Sequence, residues 1–447
     1  MELSQALRVG PHEVIAFVGA GGKTTAMFRL ADELRARGKR VVTTTTTRLF
    51  AAQVGAPLRY DGSPGFLVRV HDALAAHPHV SIVGKNVEAD KVAGVPPEFV
   101  DELAAQDEID AVIYEADGAR RLPFKAPAAH EPVLAKSTSV FVPVVGITAL
   151  GAPLDDAHVH RAEIAARLAG ARIGDALTPT MVARVIAHAD GGLKGKPTGA
   201  RAISLINQVG SAAQLDAARS LARLLLGYQE IDAVAMGAVQ NASPVRETHR
   251  RVAAMVLAAG GSTRMRGRVK QLLPWRDKTL IENAIGVATA SAASEVLVIL
   301  GAHADKIRPL VQRASARVVI NRDWETGQAS SIRAALNARS PKIGAAIFIN
   351  ADQPLLTTAV IDQIIQRYRE TDAPIVAPLY AGTRGSPVLF DHVFFDELKS
   401  LQGEQGGRAL LAKYREQIQW VEFADARLAQ DIDTPEEYEN ILEIDSI

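Results

Sequence analysis

An α/β fold in two domains is what the sequence predicts, on three observations. Short β-branched runs alternate with longer Ala/Leu/Arg-rich stretches of helical period in both halves, the pattern of parallel sheets covered by helices. Two of the apolar runs, Val14 to Val18 and Val252 to Ala258, open directly into glycine turns. A polar stretch from Gln240 to Arg251 separates the halves, which places the domain boundary there, with domains at 1–245 and 246–447.

In the first half the clearest strands are Val14 to Val18, Arg40 to Thr46, Ala111 to Glu115, Ser139 to Val145, Ala202 to Ile206 and Ala233 to Met236. Helices are expected over Thr24 to Arg37, His160 to Leu168 and Ala212 to Leu226. The second half repeats the logic, with strands at Val252 to Ala258, Glu295 to Leu300, Arg317 to Asn321, Ala345 to Asn350 and Pro374 to Pro378. An acidic helix begins at Thr434.

The chain of 447 residues has room for two or three domains with proper cores. It contains no cysteine, which removes disulfides, thiolate metal sites, iron–sulfur clusters and any covalent sulfur carrier. Lys plus Arg and Asp plus Glu balance at 50 each and are interleaved, which argues against nucleic acid as a partner. The N-terminus lacks the pattern of a secretory signal, and no apolar run reaches the ~18 residues of a membrane span, so a cytoplasmic protein with no membrane partner is expected.

The most informative segment is Val256 to Pro274, where a buried strand runs into Gly260-Gly261-Ser262 and then Arg264 and Lys270. Glycines let backbone N–H groups approach phosphate oxygens, and the two cations can neutralise a triphosphate. In Ile347 to Leu356 an apolar strand presents Asp352 at its C-terminal end, where open α/β sheets collect ligands, and Asp352 suits magnesium; alone before a proline-containing turn it would read as a turn cap. Asp433 is the candidate second carboxylate, although Asp-Thr-Pro-Glu-Glu is also a good helix start.

Leu257-Ala258-Ala259-Gly260-Gly261-Ser262-Thr263-Arg264, Lys270-Gln-Leu-Leu, Ala351-Asp-Gln-Pro354 and Asp431-Ile-Asp-Thr-Pro435 resemble the MobA-like NTP transferases, more narrowly the molybdenum cofactor cytidylyltransferases. The resemblance spans about residues 252–442. It implies a Rossmann-like nucleotidyltransferase domain moving CMP from CTP to the molybdopterin cofactor with release of pyrophosphate. It further implies that Leu257 to Ser262, Arg264 and Lys270 hold the nucleotide, and that Asp352 and Asp433 hold Mg2+. Arg266 stands where the family commonly has glycine, so the loop carrying Lys270 is expected to take a different path. Asn321 and Ser331, after a strand and at a helix start, are candidates for substrate contact and equally for capping.

In the first half, Val14 to Thr25 reads as strand, glycine loop and helix start. Gly19-Ala20-Gly21-Gly22-Lys23-Thr24-Thr25 is an incomplete P-loop, with Phe17 at the usual first glycine, and implies that ATP or GTP is bound. Thr24, Glu115 and Asp117 are candidate magnesium ligands. Asp155 to His160 has metal-binding residue types, but scattered surface histidines are the simpler reading. Gly19 to Thr25, Thr43 to Arg48, Glu115 to Arg120, Lys125 to Pro132 and Val159 to Arg161 together resemble the YqeC proteins, selenium-dependent hydroxylase accessory proteins. That resemblance implies a role in molybdenum hydroxylase maturation, with a client hydroxylase as partner, and hence a bifunctional chain. The alternatives are a sugar- or alditol-phosphate nucleotidylyltransferase and a nucleotide-gated chaperone.

Overall fold

The computed structural model describes residues 1–88 and 90–445, so the last two residues of the expected second domain lie outside it. The chain divides into two compact units, Met1–His249 and Arg250–Ile447. Among the described residues, no helix is long and apolar enough to cross a membrane.

The first unit is built on a nine-stranded sheet. Its strands are β1 (Glu13–Gly19), β2 (Val41–Thr45), β3 (Leu58–Arg59), β4 (His79–Val83), β5 (Ala111–Glu115), β6 (Val140–Gly146), β7 (Arg201–Asn207), β8 (Ala233–Gly237) and β9 (Val245–His249). Their spatial order is β9-β8-β7-β6-β1-β5-β2-β4-β3. All neighbours are parallel except β8 and β9. The β-branched runs are buried on both faces, as a helix-covered parallel sheet requires. Helix α1 (Lys23–Ala36) starts at the loop after β1, and Met27, Leu30, Ala31 and Leu34 give it a buried stripe.

Strand β9 lies inside the stretch expected to be a linker. Its alternation is hidden because Glu247 and His249 are polar yet buried. Glu247 is 2% exposed and accepts from His249 and from Arg219 on the helix Ala212–Leu225, so its buried charge is satisfied.

The second unit carries an eight-stranded mixed sheet. It is formed by β10 (Arg251–Ala258), β11 (Glu295–Leu300), β12 (Arg317–Ile320), β13 (Ile343–Asn350), β14 (Ile375–Tyr380), β15 (Thr383–Arg384), β16 (Val388–Asp391) and β17 (Ile418–Phe423). The order is β12-β11-β10-β13-β16-β14-β15, with β17 beside β14. Strand β16 runs antiparallel to both β13 and β14, so the purely parallel sheet expected from the sequence is interrupted. A four-residue strand carries too little pattern to announce that reversal. Helix α2 (Leu280–Thr289) begins with a capping box from Thr279 and Glu282, and α3 (Gln328–Ala338), α4 (Thr358–Thr371) and α5 (Pro435–Asp445) follow.

Candidate functional site

The parallel neighbours β10 and β13 end side by side and deliver the second unit's cleft. After β10 the chain turns through Gly260, Gly261 and Ser262, the last at φ +54°. Ser262 Oγ accepts from Lys270 N–H at 3.0 Å, and the Gln271 side chain donates to the carbonyls of Ala258 and Gly260. Lys270 is thereby anchored under the loop. Arg266 (φ +51°) and Gly267 (φ +84°) are two consecutive left-handed residues, and the Arg266 guanidinium pairs with Glu436 at 2.6 Å.

A cleft of ≈ 290 Å³ results, lined in part by Leu257, Ala258, Gly260, Gly261, Ser262, Arg264, Lys270, Asp352 and Asp433. Of the residues expected to hold a nucleotide, Ala259 alone is outside this lining; its carbonyl accepts from Ala302 N–H. Lys270 Nζ donates to Asp352 Oδ2 at 2.6 Å and to Asp433 Oδ1 at 2.9 Å, and Arg264 reaches Asp433 Oδ2 at 2.9 Å. Burial alone would lower the Lys270 pKa, but the two carboxylates outweigh it and raise it. Burial likewise works to raise Asp433, and the Lys270 and Arg264 cations overcome it.

Asp352 Oδ1 is buried with no hydrogen-bond partner, which is the state of a carboxylate oxygen shaped to receive a further cation. With Asp433 beside it, the donor set of two carboxylates suits a hard divalent ion such as Mg2+.

Two further acidic residues, to which the sequence motifs assign no role of their own, stand beside this pair. Asp431 is exposed as a residue, yet its carboxyl is partly shielded from water and is repelled by Asp352 and Asp433, which together push it up to about 6. Glu404 reaches the cleft from a distant loop that is pinned where Gly327 meets Gly403. A Cβ on Gly327 would lie 2.5 Å from the Gly403 carbonyl carbon. Asn321 and Ser331 do not line the cleft. Asn321 donates to Ser330 and Ser331 hydroxyls at 2.8 and 3.0 Å, a buried polar knot that ties β12 to α3.

In the first unit the loop after β1 also lies at a strand end, between β5 and β6. Gly19 and Gly21 sit at φ +90° and +88°, and a Cβ on either would come within 2.4 Å of the β6 backbone. Ala20 and Gly21 N–H groups already serve the Val144 and Leu122 carbonyls, so the donors the loop offers begin at Gly22. The N-terminal amides of α1 follow directly, with no acceptors inside their own helix.

Lys23 is buried, donates to the Gly19 carbonyl, and lies 3.4 Å from Glu115 and 3.2 Å from Asp117. Burial opposes its charge, and the two carboxylates raise its pKa in spite of that. Thr24 Oγ1 donates to Glu115 Oε2 at 2.6 Å, and Asp117 accepts from Gly19 N–H. Thr24, Glu115 and Asp117 are thus brought together.

Behind them runs a buried chain of ion pairs that the sequence did not disclose. Lys125 joins Asp117 (2.9 Å) to Glu131 (2.7 Å), and Arg161 clasps Glu131 with both nitrogens. His160 is 9% exposed and belongs to this layer, which corrects the expectation of a surface histidine. His158 pairs with Asp155, and among the described residues no group of three or more His, Asp or Glu is gathered for a metal. Asn207-Gln208 is only faintly similar in sequence to a base-reading Asn-Lys pair, with no Asp following at the required place. The Asn207 side chain donates to the Gly21 carbonyl at 2.8 Å and accepts from Val239 N–H at 3.0 Å.

Comparison with known proteins follows the same division. The YqeC family model matches residues 15–163, and the MobA-like NTP transferase domain matches 254–418. The uncharacterized protein YqeC of Escherichia coli (strain K12) is 34% identical over 51% of this chain and 88% of its own length. Nicotine blue oxidoreductase of Paenarthrobacter nicotinovorans is 27% identical over 43% of this chain and 96% of its own. Purine catabolism protein PucB of Bacillus subtilis (strain 168) is 30% identical over 41% of this chain and 93% of its own. The chain therefore belongs to the YqeC family in its first half and carries a MobA-like NTP transferase domain in its second.

Proposed function

We propose that the second unit transfers CMP from CTP to the molybdopterin cofactor, releasing pyrophosphate. The first unit is then a P-loop-like nucleotide-binding partner in the maturation of a molybdenum hydroxylase. The observation that carries the transferase reading is Lys270, held between Asp352 and Asp433 beneath the Gly260–Ser262 turn, with Asp352 Oδ1 buried and unpartnered.

In this reading the cofactor's phosphate attacks the α-phosphorus of CTP, the bond to the β-phosphate oxygen breaks, and pyrophosphate leaves. The protein needs little covalent chemistry and contributes position and charge. Backbone groups of the glycine turn approach the triphosphate closely. Lys270 and Arg264 neutralise charge that builds on the leaving pyrophosphate. Asp352 and Asp433 would hold Mg2+, which when bound supplies further neutralisation of the phosphates. The Ala258-Ala259-Gly260 form of the turn favours the cytidylyl reaction, on the family resemblance.

The first unit's reading rests on Lys23, Thr24, Glu115 and Asp117 meeting at one strand-loop-helix junction. ATP or GTP would place its phosphates on the amides from Gly22 onward, with Thr24 and Glu115 beside the metal. Any sulfur passed to the cofactor travels without a thiol of this chain, because there is none.

The test is incubation with Mg2+, CTP, GTP or ATP, and either molybdenum-bound pterin cofactor or sugar phosphates as acceptor, with pyrophosphate quantified and the product identified by mass. CTP-dependent product is expected. Product only with sugar phosphates, or none from protein that binds CTP, overturns the assignment.

A further inference from the structure

The two flanks of the glycine loop in the first unit differ chemically. On one flank β5 brings Glu115 and Asp117 against Lys23 and Thr24. On the other, β6, β7 and β8 end at Gly146, Asn207 and Gly237. The flank of the Gly22 to Thr25 amides that is free of these carboxylates is the one where β6 to β8 end.

That rim is built rather than loose. Asn207 fastens it to the loop through Gly21 and to the segment after β8 through Val239. Gln208 comes next, at φ +67°, a conformation that costs a non-glycine residue energy and persists only where its surroundings hold it. Its side chain folds over Gly146, where a Cβ would stand 2.2 Å from Gln208 Oε1. Thr148 Oγ1 donates to the same oxygen at 2.8 Å, so the amide is fixed in place. Gly21 in turn lies against Gly146, where its own Cβ would meet the amide nitrogen at 2.2 Å. Gly21, Gly146 and Gln208 thus form a continuous path from the phosphate end to an exposed amide.

Resting on the proposed nucleotide-binding role of this loop, we infer that Gln208 reads the base and that the base is adenine. The three strand ends read Gly-Ile-Thr-Ala-Leu (146–150), Asn-Gln-Val-Gly-Ser (207–211) and Gly-Ala-Val-Gln-Asn (237–241), with no carboxylate among them. Guanine presents two adjacent donors on its pairing edge and is best met by an acceptor-only carboxylate. Adenine presents one donor beside one acceptor, which a side-chain amide matches. The Gln208 oxygen keeps a second lone pair after accepting from Thr148, and its NH2 supplies the donor.

The experiment uses the full chain with Lys270→Ala and Asp352→Ala to silence the second unit, titrated with N-methylanthraniloyl-labelled ATP and GTP in Mg2+. ATP is expected to bind at least tenfold more tightly than GTP, and Thr24→Val to weaken both. Gln208→Ala should weaken ATP by about tenfold, the worth of one net hydrogen bond, and leave GTP nearly unchanged. Gln208→Glu should narrow or invert the preference. Circular dichroism and thermal melting confirm that the variants at this exposed position fold. Binding insensitive to Thr24→Val, or no binding at all, overturns the loop reading itself. Loop-dependent binding that is equal for the two bases, favours GTP, or ignores Gln208 overturns the adenine assignment alone.

Discussion

Lys270 Nζ lies 2.6 Å from Asp352 Oδ2, and the same ammonium reaches Asp433 at 2.9 Å. One lysine therefore neutralises both carboxylates proposed to hold the metal, and the two cations compete for the same oxygens. Lys270→Ala should slow transfer about a hundredfold, the ~3 kcal/mol of a lost charge-stabilising donor. In the absence of nucleotide, the same variant should bind Mn2+ more tightly than the parent. Pyrophosphate release and calorimetric Mn2+ titration check the two halves; undiminished turnover would remove Lys270 from the reaction.

Asp352→Asn and Asp433→Asn should each raise the Mg2+ concentration needed for half-maximal rate. A shift of about 10- to 100-fold is expected, as large as the loss of a partner to a metal ligand. Asp352 should be the more sensitive, because its Oδ1 has no other partner. Equal Mg2+ dependence in parent and variants would place the metal elsewhere.

Asn207→Ala leaves the Gly21 carbonyl and the Val239 N–H unpartnered in the interior. Each such group costs about 1–3 kcal/mol. A lower melting temperature and faster hydrogen exchange at Val239 are expected. An unchanged melting temperature would mean that the loop is braced by other contacts.

His160 is held down to about 4 by burial and by the nearby Arg161, Lys125 and Arg120, with Glu131 pulling the other way. The unfolded chain, with the ordinary value near 6.5, then binds a proton more readily than the folded one. Stability from this residue is complete above about pH 6.5 and is lost as pH falls toward 4. Denaturant unfolding across that window should show this slope, and His160→Asn should flatten it. An equally steep slope in the variant would assign the dependence to other groups.

The sequence was most legible where a chemical role and a local pattern coincide. Asp352 follows an apolar strand, and Gly19 to Thr25 follows another, so both sites could be placed from short stretches. Roles set by distant partners left no such mark. Asn207 acts on Gly21 across 186 positions, and Arg161 acts on Glu131 across 30. Strand β9 escaped because its buried Glu247 and His249 satisfy each other and Arg219, so the apolar alternation that announces a strand is missing. Asn321 and Ser331 carry the right polar groups at the right kind of position, but their hydrogen bonds close inward on Ser330 and on each other. Polarity alone does not tell which way a side chain's bonds are directed.

Gly327 and Gly403 meet main chain to main chain, next to the residue that brings Glu404 to the cleft. The loop is therefore positioned by backbone contact, and Glu404 is the side chain it presents to the cleft. A substitution at Glu404 changes the chemistry at this end, but the place from which that side chain reaches is set by α3 and its facing loop. Moving that place requires insertion, deletion or exchange of the loop, which makes the segment around Gly403 the unit on which selection or an engineer would have to act.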